Sequence, residues 1–364
     1  MFLHGYWFLL QIVGRIPALQ FEVTMPARNP IKYQPVPARP KPVPGAEGQP
    51  ARNPGMALEL DWVRDARVNR SAVERRTDTL TKRRTVKKGW QIDWLLRAVT
   101  LIDLTTLSGD DTVRRVERLC AKARRPVRDD LLDALGVADW PIQVAAVCVY
   151  HVFVEAAVRA LEGSGIPVAA VSAGFPAGLS PLAQRVQEIT ASVGAGAREI
   201  DIVITRAHVL TGDWQALYDE VRTFREATGE AHLKTILATG ELGTLRDVYR
   251  ASLVCMMAGA DFIKTSTGKE PVNATLPVGL VMSRAIRAYH ERTGHRVGFK
   301  PAGGIRKAKE SLDWLALIKE ELGDRYLRPD RFRFGASTLL TDIERQLEFH
   351  VTGRYSAAHR HPLP

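Results

Sequence analysis

Five short runs rich in β-branched residues each carry a charged side chain: Asp103 in LIDLTTL, Asp201 in EIDIVIT, Lys234 in HLKTILAT, Lys264 in FIKTST and Lys300 in VGFKPAGG. Successive side chains of a strand face opposite ways, so Ile200 and Ile202 turn one way and Asp201 the other. Ile263 and Phe299 stand beside their lysines in the same manner. A charge in a buried strand survives only where it meets partners or a polar cavity, so the set is expected to converge on one site. Purely structural ion-pair networks also occur in such cores, and any one of these charges alone is open to that reading. Three lysines together change the chemistry, because desolvation and mutual repulsion both disfavour the ammonium form. Lowering a lysine from ~10.4 to ~7.4 raises its uncharged fraction at neutral pH from roughly 0.04% to about 30%. An uncharged amine adds to carbonyls and forms a Schiff base. The pattern does not choose among Lys234, Lys264 and Lys300.

Three loops supply groups suited to a phosphate. They are Ser266-Thr267-Gly268-Lys269, Ala302-Gly303-Gly304 and Gly335-Ala336-Ser337-Thr338, the last opening a helix. Glycines let backbone amides approach oxyanions, and a helix N-terminus favours negative charge. Each loop alone reads equally as a tight turn. Three following consecutive strands favour a phosphorylated carbonyl substrate.

The elements that must position these groups recur eight times. Strand-like runs at 101–107, 144–150, 167–173, 199–205, 232–239, 262–267, 297–304 and 332–337 alternate with amphipathic stretches such as 181–193, 213–227, 243–258, 273–292 and 309–322. This alternation demands parallel pairing through helical crossovers. Eight units over about 240 residues match an α/β fold of the (β/α)8 TIM-barrel type. An open doubly wound sheet usually shows a glycine fingerprint after its first strand, and none follows here. The barrel reading also puts the strand charges and the glycine loops at one end, where barrel chemistry is done.

Outside this unit the chain of 364 residues is less regular. Residues 1–14, MFLHGYWFLLQIVG, are apolar but lack the basic start and small-residue cleavage site of a signal peptide. Residues 25–56 hold nine prolines, which read as a disordered arm. The expected organisation is therefore a disordered Pro-rich arm over 1–56 and a basic helical extension over 57–99, packed on the barrel. The barrel itself is expected over 100–355, followed by a flexible tail over 356–364. The net charge of +11 sits at one end, since residues 1–99 hold 17 Lys/Arg against 8 Asp/Glu. Its sharpest feature, Lys82, Arg83, Arg84, Lys87 and Lys88, reads more readily as a solvated helix face or subunit contact than as a nucleic-acid arm. Cys120, Cys148 and Cys255 are too few and too scattered for a disulfide framework or a cysteine-based zinc site, which fits a reducing cytoplasm. No run reaches the roughly 18 apolar residues of a membrane span.

The stretches LIDLTTLSGDDT, AAVCVY, SAGFPAG, EIDIVI, HLKTILATGELG, GADFIKTSTGKEPVNAT, VGFKPAGGIR and FGASTLL, in that order over residues 58–355, resemble the deoxyribose-phosphate aldolases, in particular their longer animal-like form. The resemblance implies a class I aldolase that interconverts 2-deoxy-D-ribose 5-phosphate with acetaldehyde and D-glyceraldehyde 3-phosphate. It implies neither cofactor nor metal, a sugar-phosphate partner, a role in nucleoside catabolism and a homodimer. By the same likeness Lys264 is the Schiff-base lysine, Lys300 the second lysine that lowers its neighbour's pKa, and Asp201 the general acid/base. Lys234 supports Asp201. Asp103, Thr105 and Thr267 are implied to contact the sugar, and Gly268, Lys269, Gly303, Gly304, Ser337 and Thr338 the phosphate. The chain departs from the family pattern at His151 and Thr205, and Tyr355 lies too far from the terminus to take the place of a terminal active-site tyrosine. Two alternatives stand beside this reading: another Schiff-base sugar-phosphate aldolase, or an inactive barrel that binds RNA or a protein partner through its basic end.

Overall fold

The computed structural model describes residues 52–363. Eight parallel strands form the inner ring: β1 Ile102–Thr105, β2 Ala146–Tyr150, β3 Val168–Ser172, β4 Glu199–Val203, β5 His232–Ile236, β6 Phe262–Lys264, β7 Gly298–Lys300 and β8 Phe334–Ala336. They pair in sequence order, and β1 also pairs with β8. Parallel bridges Phe299–Phe332 and Ala302–Gly335 join the remaining edges, with Arg333 N donating to Phe299 O at 3.0 Å and Gly335 N to Pro301 O at 2.9 Å. The ring is thereby closed, as the eightfold alternation predicts.

Thirteen α-helices are present among the described residues. The extension supplies α1 Leu60–Asp65, α2 Arg70–Arg83 and α3 Lys88–Val99. The barrel adds α4 Val113–Arg124, α5 Asp129–Ala134, α6 Val154–Ala160, α7 Leu182–Gly194, α8 Arg206–Leu210, α9 Trp214–Thr228, α10 Leu245–Met257, α11 Leu276–Thr293, α12 Ala308–Leu322 and α13 Thr338–Thr352. Their starts follow from side chains that accept otherwise orphaned amides. Thr112, Asp213, Thr244 and Thr275 each cap a helix by accepting from the amide three residues on. The strand residues facing the helices, such as Ile200, Ile202, Ile263 and Phe299, are fully buried in one continuous apolar core. No described helix is long and apolar enough to cross a membrane.

The basic cluster is put to use inside the fold. Arg76, Arg83 and Arg84 converge on Glu320 of α12 at 3.0, 3.2 and 2.5 Å, fastening α2 to the barrel, while Lys82, Lys87 and Lys88 remain exposed.

Two boundaries differ from the sequence expectation. Residues 1–51 of the expected disordered arm lie outside the described residues, but its last residues are packed rather than free. Asn53 is buried, donating from its amide group to Met256 O at 2.7 Å and Ala260 O at 2.9 Å, while its backbone N–H reaches Asp261 at 2.7 Å. Its side-chain oxygen accepts from Tyr289 at 3.0 Å. One asparagine thus satisfies the open carbonyls at the end of α10, which no prolines-and-charges reading could show. The tail expected to be flexible also folds back along α13. His361 is buried, with Nε2 2.7 Å from Glu348 and Nδ1 3.4 Å from Glu344, and its carbonyl accepts from Thr341 at 3.1 Å. Two buried glutamates on α13 need polar partners, and the tail supplies the His361 ring to both and the Arg360 guanidinium to Glu348 at 3.0 Å.

Candidate active site

Strand register brings the charges together. Asp201 lies opposite Lys234 across β4 and β5, and Lys264 opposite Lys300 across β6 and β7. Directly paired residues face the same side of a sheet, so all four enter the ring. The Lys264 and Lys300 ammonium nitrogens both stand 2.8 Å from the same Asp201 oxygen. Lys300 also meets Asp103 at 2.5 Å. Lys234 reaches Asp103 at 3.1 Å, Asp201 at 3.1 Å and Glu199 at 2.5 Å. Gly335, opposite Asp103, leaves the space that the Lys300 stem fills; a Cβ there would lie 3.2 Å from its Cε and 2.6 Å from Ala302 Cβ.

Two further charges belong to the lattice and were not singled out in the sequence. Arg333 donates to Asp103 at 2.6 Å and to Glu199 at 2.8 Å, and both Glu199 and Arg333 are buried. The signal was present: Glu199 precedes Asp201 by two residues, and Arg333 sits between Phe332 and Phe334. The complete set holds four cations (Lys234, Lys264, Lys300, Arg333) and three anions (Asp103, Glu199, Asp201). With one cation neutral it balances.

The geometry distinguishes Lys264 from the other two lysines. Burial alone would lower all three. For Lys300 the carboxylates of Asp103 and Asp201 outweigh burial, and for Lys234 those of Asp103, Asp201 and Glu199 do so, and both are raised above the usual lysine value. Lys264 touches only Asp201, and burial together with the charge of Lys300 leaves it below that value. Asp201 is penalised by burial but held well below the carboxylate range by Lys234, Lys264 and Lys300. Asp103 is held low in the same way by Arg333, Lys234 and Lys300. Cys148 lies buried on β2 within reach of these charges, and burial raises its thiol pKa.

Above the lattice a cleft of about 350 Å³ opens at the C-terminal ends of β1, β6, β7 and β8. Of the lattice residues only Lys264 lines it. Thr105, Thr267, Gly268, Lys269, Gly303, Gly304, Ser337 and Thr338 line it as well, so the expected sugar and phosphate groups surround one space. Asp103 does not. It is fully buried with both oxygens engaged by cations, because the pleat sets it two residues deeper than Thr105, and the expected sugar contact at Asp103 is corrected to an ion-pair anchor. Gly268 also serves differently from a simple anion donor: its amide is taken by Glu270 at 3.1 Å, and the residue contributes a positive φ of 87° and open space. Lys269 donates across the rim to Leu107 O at 2.9 Å. Gly303, at φ 81°, packs so tightly on Asn273 that a Cβ would lie 2.6 Å from its Oδ1. Ser337 and Thr338 open the 15-residue α13, whose amides and dipole suit an anion. Arg306 adds an exposed guanidinium with no carboxylate partner among the described residues. A basic residue two positions after the paired glycines was its signal.

The departures fall outside the cleft. His151 is exposed on the turn after β2, and Thr205 bonds Glu220 of α9 through both its amide and its hydroxyl. Among the described residues no group of three or more His, Cys, Asp or Glu is arranged to hold a metal ion.

Residues 97–343 match the protein family described as DeoC/LacD family aldolase. The human deoxyribose-phosphate aldolase is 62% identical over 315 residues, spanning 86% of this chain and 99% of the human one. Among solved structures, a provisionally assigned deoxyribose-phosphate aldolase from Toxoplasma gondii ME49 superposes with a TM-score of 0.61 at 23% identity, covering 74% of this chain and 98% of its own. The deoxyribose phosphate aldolase of Aeropyrum pernix, described as a tetramer, gives 0.52 at 23% identity, covering 76% and 97%. These two likenesses bear on the fold.

Proposed function

The chain belongs to the DeoC/LacD family of aldolases, and from that premise we propose that it reversibly cleaves 2-deoxy-D-ribose 5-phosphate to D-glyceraldehyde 3-phosphate and acetaldehyde through a Schiff base on Lys264. One observation carries the assignment of the lysine: Lys264 alone among the lattice cations is both depressed in pKa and open to the cleft.

The steps follow from the geometry. The uncharged Lys264 amine adds to the open-chain C1 aldehyde, and the carbinolamine loses water to give an iminium. Asp201, 2.8 Å from that nitrogen and held ionised, stabilises the new positive charge. The iminium withdraws the C2–C3 bonding electrons as that bond breaks. A water held by Asp201 takes the C3 hydroxyl proton, leaving the aldehyde of glyceraldehyde 3-phosphate. The resulting enamine is protonated at carbon and hydrolysed to acetaldehyde and free Lys264. Lys300 stays charged, suppresses protonation of Lys264 and completes the proton relay through the Asp201 oxygen they share. Lys234 fixes the other Asp201 oxygen. Thr105 and Thr267 meet the sugar, while Gly303, Gly304, Ser337, Thr338, Lys269 and the loop shaped by Gly268 hold the phosphate at the far end of the cleft.

Borohydride added with acetaldehyde tests this directly. The expected result is one reduced ethyl adduct on the tryptic peptide containing Lys264, unaffected by EDTA. An unmodified Lys264 peptide under conditions of full turnover overturns the assignment. We further place the enzyme in the cytoplasm, which the three buried, unpaired cysteines favour, and in nucleoside catabolism. Its working form is taken to be a homodimer on family likeness, and the mass in solution decides between that and a tetramer.

A further inference from the structure

A second cleft, of about 710 Å³, opens between the N-terminal extension and the loops that follow β5 and β6. Arg67 and Arg70, from the start of α2 and the link before it, face Arg246 of α10 across it. One carboxylate on its wall, Glu74, is held by Arg70 at 2.7 Å. Arg67 and Arg246 are exposed and have no acidic partner among the described residues. Two helices also begin here: the caps of the 13-residue α10 and the 18-residue α11, Thr244 and Thr275, both line the cleft. Each start carries about half a positive charge from the helix dipole. Thr239, on the same wall, is only 6% exposed, and its hydroxyl has no hydrogen-bond partner. Scattered surface arginines mean little, but here three, with two helix starts, bound one concavity whose wall holds one carboxylate, Glu74, with a second, Asp247, accepting from Thr244 at 2.6 Å in the first turn of α10.

We propose that this cleft is a second anion site that takes an organic polyphosphate of nucleotide size. Guanidinium groups bind phosphate oxygens in bidentate fashion, and three of them on two separate elements suit more than one phosphate. The volume lies within the range of about 300–1,000 Å³ usual for small-molecule sites. The cleft also communicates with the catalytic one. Thr239 N donates at 2.9 Å to the carbonyl of Thr265, the neighbour of Lys264. Gly240 packs so closely on Val272 that a Cβ would lie 2.0 Å from its carbonyl oxygen, and Val272 belongs to the segment between β6 and α11 that carries Thr267 and Lys269. A ligand that stiffens the loop after β5 therefore acts on the loop that contacts substrate, which makes the site regulatory.

Metal-free ATP, titrated calorimetrically into the full chain at fixed ionic strength, is the probe. Glycerol 3-phosphate is present at saturation to fill the catalytic cleft. One equivalent is expected to bind, and the double variant Arg67→Gln/Arg246→Gln is expected to bind at least tenfold more weakly while keeping its turnover in the absence of ATP. The absence of saturable binding, equal binding to both proteins, or displacement of ATP by glycerol 3-phosphate overturns the proposal. Since the binding readout needs no turnover, it stands or falls independently of the aldolase reading.

Discussion

Replacing Lys300 by methionine keeps the stem and removes a charge that, beside burial, lowers the pKa of Lys264. Both ammonium nitrogens lie 2.8 Å from one Asp201 oxygen, so they are no more than about 5.6 Å apart. At an effective dielectric of about 20, two like charges at that distance repel by about 3 kcal/mol or more, which is about two pK units. The charge count points the same way, because three anions then face only three cations and Lys264 must carry its proton. Lys300→Met is expected to raise the apparent pKa of Lys264 by about two units and to slow adduct formation about 100-fold on the acid side of that pKa. The assay is the rate of borohydride-trapped acetaldehyde adduct as a function of pH, which reports imine formation without the later proton transfers. Lys300→Arg, where the charge is retained, is expected to keep the wild-type midpoint. An unshifted or lowered midpoint in Lys300→Met, whatever the loss of rate, refutes the electrostatic coupling.

Four further outcomes follow from the same geometry. Lys264→Met is expected to abolish cleavage yet unfold at a higher temperature than the wild type at neutral pH: a lysine depressed in the folded state opposes folding below its unfolded value of about 10.4, so the gain shrinks as pH rises toward that value. Glu199→Leu strands Arg333 without one of its two carboxylates and is expected to cost about 3–5 kcal/mol in urea unfolding; a loss under 1 kcal/mol would contradict the lattice. Asp103, Glu199 and Asp201 are all depressed, so their contribution is fully present above the unfolded carboxylate values of about 4 and is lost as pH falls through the lower folded ones; an acid-unfolding curve with no loss below that range would count against it. Gly303→Ala is expected to raise KM for 2-deoxyribose 5-phosphate at least tenfold and to leave KM for unphosphorylated deoxyribose unchanged, since its Cβ would push Asn273 into the phosphate end of the cleft; an equal effect on both sugars would remove the phosphate from that loop.

Much of the barrel was legible because its period-two and helical patterns are local. The inward direction of Asp201, Lys264 and Lys300 followed from their apolar neighbours, and the loop glycines followed from their place after the strands. Depth along the ring was not legible: Asp103 and Thr105 share a face, but only the stagger of neighbouring strands makes one an anchor and the other a cleft residue. Glu199 and Arg333 could have been read by the same alternation and were missed because they stand at strand edges, where the pattern is shortest. The choice of Lys264 among three lysines depends on how many carboxylates each one touches, a property of eight strands at once. The tail and Asn53 escaped for a related reason. Their partners, Glu344 and Glu348 in one case and the end of α10 in the other, are set by packing between distant segments, and charge or proline content carries no record of that.

Asn53 has a bearing on protein expression. A polypeptide translated from Met25 would keep this plug under the barrel, whereas one initiated at Met56 would lack it. The shorter product would then leave the carbonyls of Met256 and Ala260 and the Tyr289 hydroxyl to find solvent or go unmatched, at roughly 1–3 kcal/mol for each group left dry. Recombinant versions trimmed for crystallisation are therefore best cut before residue 52, however dispensable a proline-rich leader looks on paper.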